Sequence, residues 1–117
     1  MSPEEVVRAE MAAWGRLDVE EIMSYFTVDA VWDNVPIGAA VGIDEIRGAV
    51  ERWVGQTTSF DAEMVNLAVA GNVVLTERVD HIVIGGQTIH ARVMGAFEIE
   101  GDKIRAWRDY FDMAGHA

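Results

Sequence analysis

The chain has 117 residues, close to the commonest size of a single domain, and it contains no cysteine that could form a disulfide, a thiolate metal site or a nucleophile. Nine Lys and Arg residues against twenty Asp and Glu residues give a net charge of −11, which disfavours binding to nucleic acid or to anionic membranes. No apolar run reaches the length of a membrane helix, and no signal peptide opens the chain. We therefore expect a cytoplasmic protein with one domain over residues 1–117.

The first quarter of the chain has the pattern of two helices. Ser2 as N-cap and Glu5 three residues later form a capping box, and the apolar residues that follow keep helical spacing to about Leu17. Asp18 predicts a second N-cap, before a short helix that runs to about Phe26.

A strand, a loop and a third helix follow. The strand covers 30–35 and stops at Pro36, and Gly38 and Gly42 flank the predicted loop. The third helix begins near Asp44, where acidic residues favour the positive end of the helix dipole.

The second half has the pattern of a strand meander. Four stretches either alternate between apolar and polar residues or are nearly continuous in β-branched residues, as is typical of strands. These stretches are 59–69, 73–84, 87–99 and 103–113. Short turn signals separate them, namely Gly71-Asn72, Gly85-Gly86 and Gly101-Asp102. Helices followed by strands predict an α+β fold, in which a curved mixed or antiparallel sheet and the N-terminal helices enclose an interior pocket.

Charged residues stand at positions that the pattern predicts to be buried. In the strand over 73–84, alternation puts Arg78 and Asp80 on the same face. In the strand over 103–113, Asp109 falls between Trp107 and Phe111 on one face. A carboxylate among aromatic rings is costly unless it is paired or protonated, so Arg78 and Asp80 are its expected partners. A solvated surface pair, or a buried ion pair with a purely structural role, is the alternative.

Two carboxylates beside one guanidinium have a definite chemistry. The guanidinium lowers the pKa of both acids, whereas burial and their mutual repulsion raise the pKa of one of them. At neutral pH one acid is then ionised and the other protonated, which supplies a general base and a general acid.

Asn34 is a candidate for holding a water molecule. It shares a face with Trp32 on the early strand, and its amide offers both donors and an acceptor. The alternative is that Asn34 only caps the turn before Pro36. Aromatic and branched side chains on the inward faces predict an apolar pocket for a small molecule. Its expected lining residues are Trp32, Tyr25, Trp53, Ile82, Val93 and Phe111.

No pattern indicates a metal or a cofactor. His81, His90 and His116 lack the spacing of zinc ligands. No glycine-rich phosphate loop and no serine in a nucleophile elbow is present. We expect no metal and no cofactor.

At this level of detail the sequence resembles the limonene-1,2-epoxide hydrolase family, within the broader NTF2-like (SnoaL-like) superfamily. The resemblance runs from about Glu4 to Asp112. The motifs that carry it are Asn34-Val35-Pro36, Thr76-Glu77-Arg78-Val79-Asp80, Gly95-Ala96-Phe97-Glu98 and Trp107-Arg108-Asp109-Tyr110-Phe111-Asp112.

The resemblance implies a cofactor-independent epoxide hydrolase that adds water to an apolar, cyclic or terpene-like epoxide and forms a vicinal diol in one step. Asp109 would be the base, Asp80 the acid, Arg78 the bridge between them, and Asn34 would help to position the water. Where the family usually has a tyrosine that also holds this water, the chain has Trp32. The resemblance also implies a homodimer.

Two other functions fit the same residues. An NTF2-like isomerase or cyclase would use an Asp to abstract a proton α to a carbonyl, with a neutral acid at the oxyanion. A non-catalytic module for small-molecule binding or dimerisation would use the Arg–carboxylate cluster only as structure.

Overall fold

A computed structural model describes residues 1–115 of the chain. Helices and strands follow one another in an α+β arrangement, as the sequence predicts. In chain order they are α1 (Pro3–Arg16), α2 (Val19–Met23), β1 (Phe26–Asn34), β2 (Gly38–Val41), α3 (Ile43–Gln56), β3 (Thr57–Ala70), β4 (Val73–Ile84), β5 (Gln87–Glu100), β6 (Lys103–Tyr110) and a 3₁₀ turn (Met113–Gly115).

The strands form one mixed sheet in the order β2-β1-β6-β5-β4-β3, which leaves β2 and β3 at its edges. Strands β3 to β6 are antiparallel neighbours, as a meander requires. The pairing of β1 with β6 is parallel. This parallel pair joins the early strands to the late ones and sets Asn34 beside Asp109.

Most of the predicted boundaries hold. The Ser2–Glu5 capping box forms, and Asp18 caps α2 by accepting from the amide of Glu21. The short helix ends earlier than expected, at Met23. The carbonyl of Tyr25 accepts from the amide of Ile104 at 2.6 Å, so the chain already pairs with β6 there.

Three further boundaries differ from the sequence prediction. Strand β1 begins at Phe26, four residues before the predicted start at residue 30. The expected loop between Gly38 and Gly42 contains strand β2, which pairs with β1 in antiparallel register. The last strand ends at Tyr110 rather than at residue 113, so Phe111 lies just beyond it. A four-residue strand of small side chains lacks the alternation by which strands are recognised.

The core lies between the helices and one face of the sheet. Helix α1 contacts β3 to β6, and α3 contacts β1 to β3. Buried apolar residues from both layers form one cluster, for example Val6, Val50, Phe97 and Ile104. Within residues 1–115, no helix combines the length and the apolar character needed to cross a membrane.

Candidate active site

A cavity of about 230 Å³ opens between the helices and the inner face of the sheet. Nearly all of the residues predicted for the site line it: Trp32, Asn34, Trp53, Arg78, Asp80, Ile82, Val93, Asp109 and Phe111. Tyr25 is not in its wall. Tyr25 is partly buried against the hydrophobic core instead, at the junction between α2 and β1.

Aromatic rings form one side of the cavity. Trp14 lies at the centre of this group, with its ring centroid 5.3 Å from that of Trp32, 4.9 Å from that of Trp53 and 5.7 Å from that of Trp107. Phe60 packs edge-on against Trp53 at 5.3 Å. The sequence pattern predicts that Trp14 lines either the core or the pocket, and the structure places it in the wall of the cavity.

Strand alternation aims the charged side chains inward. On β4, Thr76, Arg78 and Asp80 are buried, whereas the residues between them are more exposed. Asp109 on β6 lies opposite Gly95 of β5, and Gly95 lies opposite Thr76. Strand β5 lies between β4 and β6, and its Gly95 has no side chain at this point. The Arg78 side chain on β4 therefore has room to cross β5 and reach Asp109 on β6.

The Arg78 side chain holds both carboxylates at once. Its Nε donates to Asp80 Oδ1 at 3.1 Å, and its Nη2 donates to Asp80 Oδ2 at 3.0 Å. Toward the other acid, Nη2 donates to Asp109 Oδ2 at 2.9 Å and Nη1 to Asp109 Oδ1 at 3.2 Å. Two bidentate pairs share one planar fork, which fixes both acids in direction as well as in distance. We call these three residues the clamp.

The clamp is almost completely withdrawn from solvent. Arg78 is 1% exposed, and Asp80 and Asp109 are each 6% exposed. Burial acts to lower the pKa of Arg78, but the two carboxylates outweigh it and hold that pKa above its ordinary value. Burial raises the pKa of Asp109, and the charge of Arg78 opposes part of the rise. The cation is thus permanent, while Asp109 is a stronger base than an exposed aspartate.

Trp107 supports Asp109 from the same strand. Its indole Nε1 donates to Asp109 Oδ1 at 2.7 Å, and this bond acts to lower the pKa of Asp109. The sequence analysis placed both side chains on one face but did not assign a hydrogen bond. The signal was present, since residues two apart on a strand lie side by side.

Asn34 and Trp32 lie on β1, next to the clamp. Asn34 is the parallel neighbour of Asp109, and its side-chain amide makes no hydrogen bond to any residue between 1 and 115. Trp32 is 9% exposed, and its indole N–H likewise has no partner among those residues. Both side chains line the cavity, and their N–H groups donate to no residue in the described part of the chain.

The two histidines that the structure describes lie away from the clamp. His81 and His90 pair across β4 and β5 with 2.7 Å between their Nδ1 atoms, and Glu63 Oε1 lies 2.8 Å from His81 Nε2. In the described part of the chain, no group of three or more His, Cys, Asp or Glu side chains is arranged to hold a metal ion. His116 lies outside the described residues.

Comparison with known proteins agrees with this geometry. Residues 1–115 match the family model of the limonene-1,2-epoxide hydrolase catalytic domain. Epoxide hydrolase EphG of Mycobacterium tuberculosis is 34% identical over 93 residues, which are 74% of this chain. The matched region spans 62% of the length of EphG.

Solved structures with the same fold include both related and distant proteins. An LEH-like epoxide hydrolase of M. tuberculosis has a TM-score of 0.84 and 29% identity, covering 93% of this chain and 81% of its own. An NTF2-like protein of unknown function from Cytophaga hutchinsonii has a TM-score of 0.80 and 16% identity, covering 99% and 95% of the two chains, and shows the fold alone. The fold is NTF2-like, and with nearly its whole length matched by the family model the chain belongs to the limonene-1,2-epoxide hydrolase family.

Proposed function

We propose that the protein is an epoxide hydrolase that adds water to a small apolar epoxide in one step and without a cofactor. The observation that carries the proposal is the clamp, in which one guanidinium holds two carboxylates at the wall of an apolar cavity. The family membership and the similarity to EphG support the same reaction.

The two carboxylates differ in their partners, and this difference supports distinct roles. Asp109 accepts from two nitrogens of Arg78 and also from Trp107, whereas Asp80 accepts only from Arg78 among the described residues. Donors to a carboxylate favour its ionised form. We therefore assign the negative charge to Asp109 as general base and the shared proton to Asp80 as general acid.

The proposed step needs only water and the epoxide. Asp109 takes a proton from water as the water oxygen forms a bond to one epoxide carbon. The carbon–oxygen bond of the ring breaks, and Asp80 gives its proton to the oxygen that leaves. Asn34, beside Asp109, is suited to hold the water. A positioned acid or base typically contributes about 10²–10⁴ in rate.

The cavity favours a compact substrate. Its volume of about 230 Å³ is below the range of roughly 300–1,000 Å³ that is common for small-molecule sites. Apart from the clamp and Asn34, its lining is apolar. We propose a cyclic or terpene-like epoxide of about one ring, without a charged group.

Hydrolysis of cyclohexene oxide and limonene oxide in heavy-oxygen water tests the proposal. The label is expected in the diol and not in the protein. Asp109→Asn and Asp80→Asn are each expected to lower kcat by about 10²–10⁴ with the fold intact. Asp61→Asn, at an exposed position on β3, is the matched control and is expected to retain the rate.

Other results would contradict the proposal in different ways. Substantial turnover by either clamp variant would remove the acid–base mechanism. Isomerisation of a ketosteroid enone without epoxide hydrolysis would favour an isomerase. Binding of apolar ligands without any turnover would favour a non-catalytic module.

We also propose that the chain forms a homodimer in the cytoplasm. The face of the sheet turned away from the helices carries exposed apolar side chains, including Val65, Leu75, Met94 and Tyr110. A patch of this kind is typical of a surface that another protein covers. Light scattering after size-exclusion chromatography measures the mass directly, and a monomer at micromolar concentration would contradict the dimer.

A further inference from the structure

An arginine side chain has five N–H donors, and in the clamp every one of them has an acceptor. Four of them go to Asp80 and Asp109. The fifth, the second hydrogen of Nη1, goes to Thr76 Oγ1 at 3.0 Å. Thr76 therefore completes the set, although it takes no part in the proposed chemistry.

The place of Thr76 makes this hydrogen bond hard to replace. Thr76 is 0% exposed, so solvent does not reach its hydroxyl. A buried N–H that loses its acceptor pays a full desolvation cost, which is larger for a charged group. Without Thr76, the guanidinium would gain by turning its free Nη1–H toward a carboxylate oxygen. The angle of the fork to Asp109 would then change.

Gly95 keeps the space in which the guanidinium lies. A Cβ atom at Gly95 would lie 2.5 Å from Arg78 Nη1, 2.7 Å from Thr76 Oγ1 and 2.8 Å from Asp109 Oδ1. The backbone of Gly95 is not in the left-handed region. What requires glycine here is thus the close approach of the three polar atoms and not the conformation of the chain.

We propose that Thr76 and Gly95 are positioning residues that hold the Arg78 fork at the angle at which Asp109 and Asp80 act as base and acid. The inference rests on the proposed function for its effect on rate. Its physical basis is that catalytic groups must be held within about 0.5 Å of their productive geometry. Thr76 holds the guanidinium through a hydrogen bond, and Gly95 leaves the space that the guanidinium occupies because it has no side chain.

Thr76→Val is the main test, since valine keeps the shape and removes the acceptor. We expect kcat to fall about tenfold while KM changes less than about twofold, because Thr76 lies behind the clamp and is not part of the cavity wall. Thr76→Ser restores the hydroxyl and is expected to recover most of the rate. Thr88→Val, at an exposed position on β5, is the matched control and is expected to change neither parameter.

A second measurement does not depend on turnover. Infrared or carbon NMR titration of the aspartate carboxyls follows the clamp directly in the wild-type protein and in both Thr76 variants. Thr76→Val frees an N–H of Arg78 Nη1 for Asp109, so the titration of the Asp109 carboxyl is expected to move to lower pH. Thr76→Ser is expected to return that titration to its wild-type position. Asp80 and Arg78 are the other ionisable residues at the cavity wall, and neither is substituted in these variants.

Gly95→Ala tests the second half of the proposal. We expect it to lower kcat more than Thr76→Val does, because the added methyl group displaces Nη1. Gly55→Ala, in a helix with open space around it, is the matched control and is expected to keep full activity. Should Gly95→Ala fail to fold, the Thr76 variants still decide the role of the fork.

These measurements distinguish a failure of the positioning role from a failure of the proposed hydrolase activity. An inactive wild-type protein whose carboxyls still shift in Thr76→Val would overturn the hydrolase and keep the positioning role. An active wild-type protein with unchanged kcat and unchanged titration in Thr76→Val would overturn the positioning role and keep the hydrolase. Equal losses in Thr76→Val and Thr76→Ser would also overturn it, because the hydroxyl would then be irrelevant.

Discussion

Among residues 1–115, acidic side chains are buried in two places, and their surroundings differ sharply. In the clamp, Asp80 and Asp109 share a cation whose donors are all used. On α1, Glu10 is 0% exposed, and neither of its carboxyl oxygens has a hydrogen-bond partner among the described residues. The neighbouring indole N–H of Trp14 is also buried without a hydrogen-bond partner.

The difference shows that partners, and not depth alone, decide the state of a buried acid. Burial raises the pKa of both Asp109 and Glu10. Arg78 and Trp107 oppose the rise at Asp109, whereas only the nearby Trp14 indole opposes it at Glu10, and Glu21 adds to it. The pKa of Glu10 is well above its ordinary value, which favours a neutral acid, while Asp109 remains available to carry charge.

Removal of the Arg78 cation is expected to have the largest effect of the substitutions at the two buried sites. Arg78→Leu leaves two buried carboxyls without a counter-charge, so we expect a loss of about 3–5 kcal/mol in the free energy of unfolding at neutral pH, together with the loss of activity. Urea denaturation measures the first effect. Arg8→Leu removes a surface pair with Glu4 and should cost no more than about 0.5 kcal/mol. Equal losses in the two variants would mean that the clamp contributes nothing special to stability.

Glu10→Gln tests the protonation state of the buried acid on α1, because the glutamine side chain resembles a protonated glutamate. The folded-state pKa of Glu10 lies above its unfolded value of 4.5, so its neutral form contributes stability below that pH. This contribution is lost as pH rises toward the folded-state pKa. We expect Glu10→Gln to match the wild type at low pH and to gain on it by about 1.4 kcal/mol for each pH unit from 4.5 up to the folded-state pKa, with no further gain above that pKa.

Urea unfolding across a pH series measures the gain of Glu10→Gln. Glu51→Gln, at an exposed position on α3, is the control and should show no such trend. A constant difference between Glu10→Gln and the wild type at all pH values would show that folding does not raise the pKa of Glu10.

Two of the four indole groups that line the cavity, those of Trp107 and Trp32, give the smallest expected difference. Trp107→Phe removes a donor to ionised Asp109, so we expect kcat to fall roughly tenfold and the acidic limb of the pH–rate profile to move to higher pH. Trp32→Phe removes an N–H without a described partner, so it should leave the limb in place. Equal shifts of the limb in both variants would contradict the role assigned to Trp107.

The sequence predicted the parts of the site that follow strand alternation. Arg78 and Asp80, two residues apart, had to share a face, and an Asp between two aromatic residues had to face inward. Thr76 and Gly95 were not assigned roles, since their function depends on which strands are neighbours and in what register. The burial of Glu10 was missed, although it lies four residues before Trp14 on the same face of α1.

Boundaries failed where local patterns were short or interrupted. Helix α2 has five residues and ends before Tyr25 and Phe26, which the predicted helix included. Tyr25, a predicted pocket residue, packs against the hydrophobic core instead. Strand β2 has four residues and no alternation. In both places pairing with the sheet decides the structure, which no local window of sequence contains.

The position of β6 has a consequence for how the two parts of the sheet are joined. This strand follows the other five along the chain, yet it lies in the interior of the sheet, between β1 and β5. Without β6, the β1–β2 pair and the antiparallel strands β3 to β5 would share no strand pairing. The strand that unites the sheet is also the one that carries Asp109, so a truncation that removes β6 would divide the sheet and would take away the proposed base at the same time.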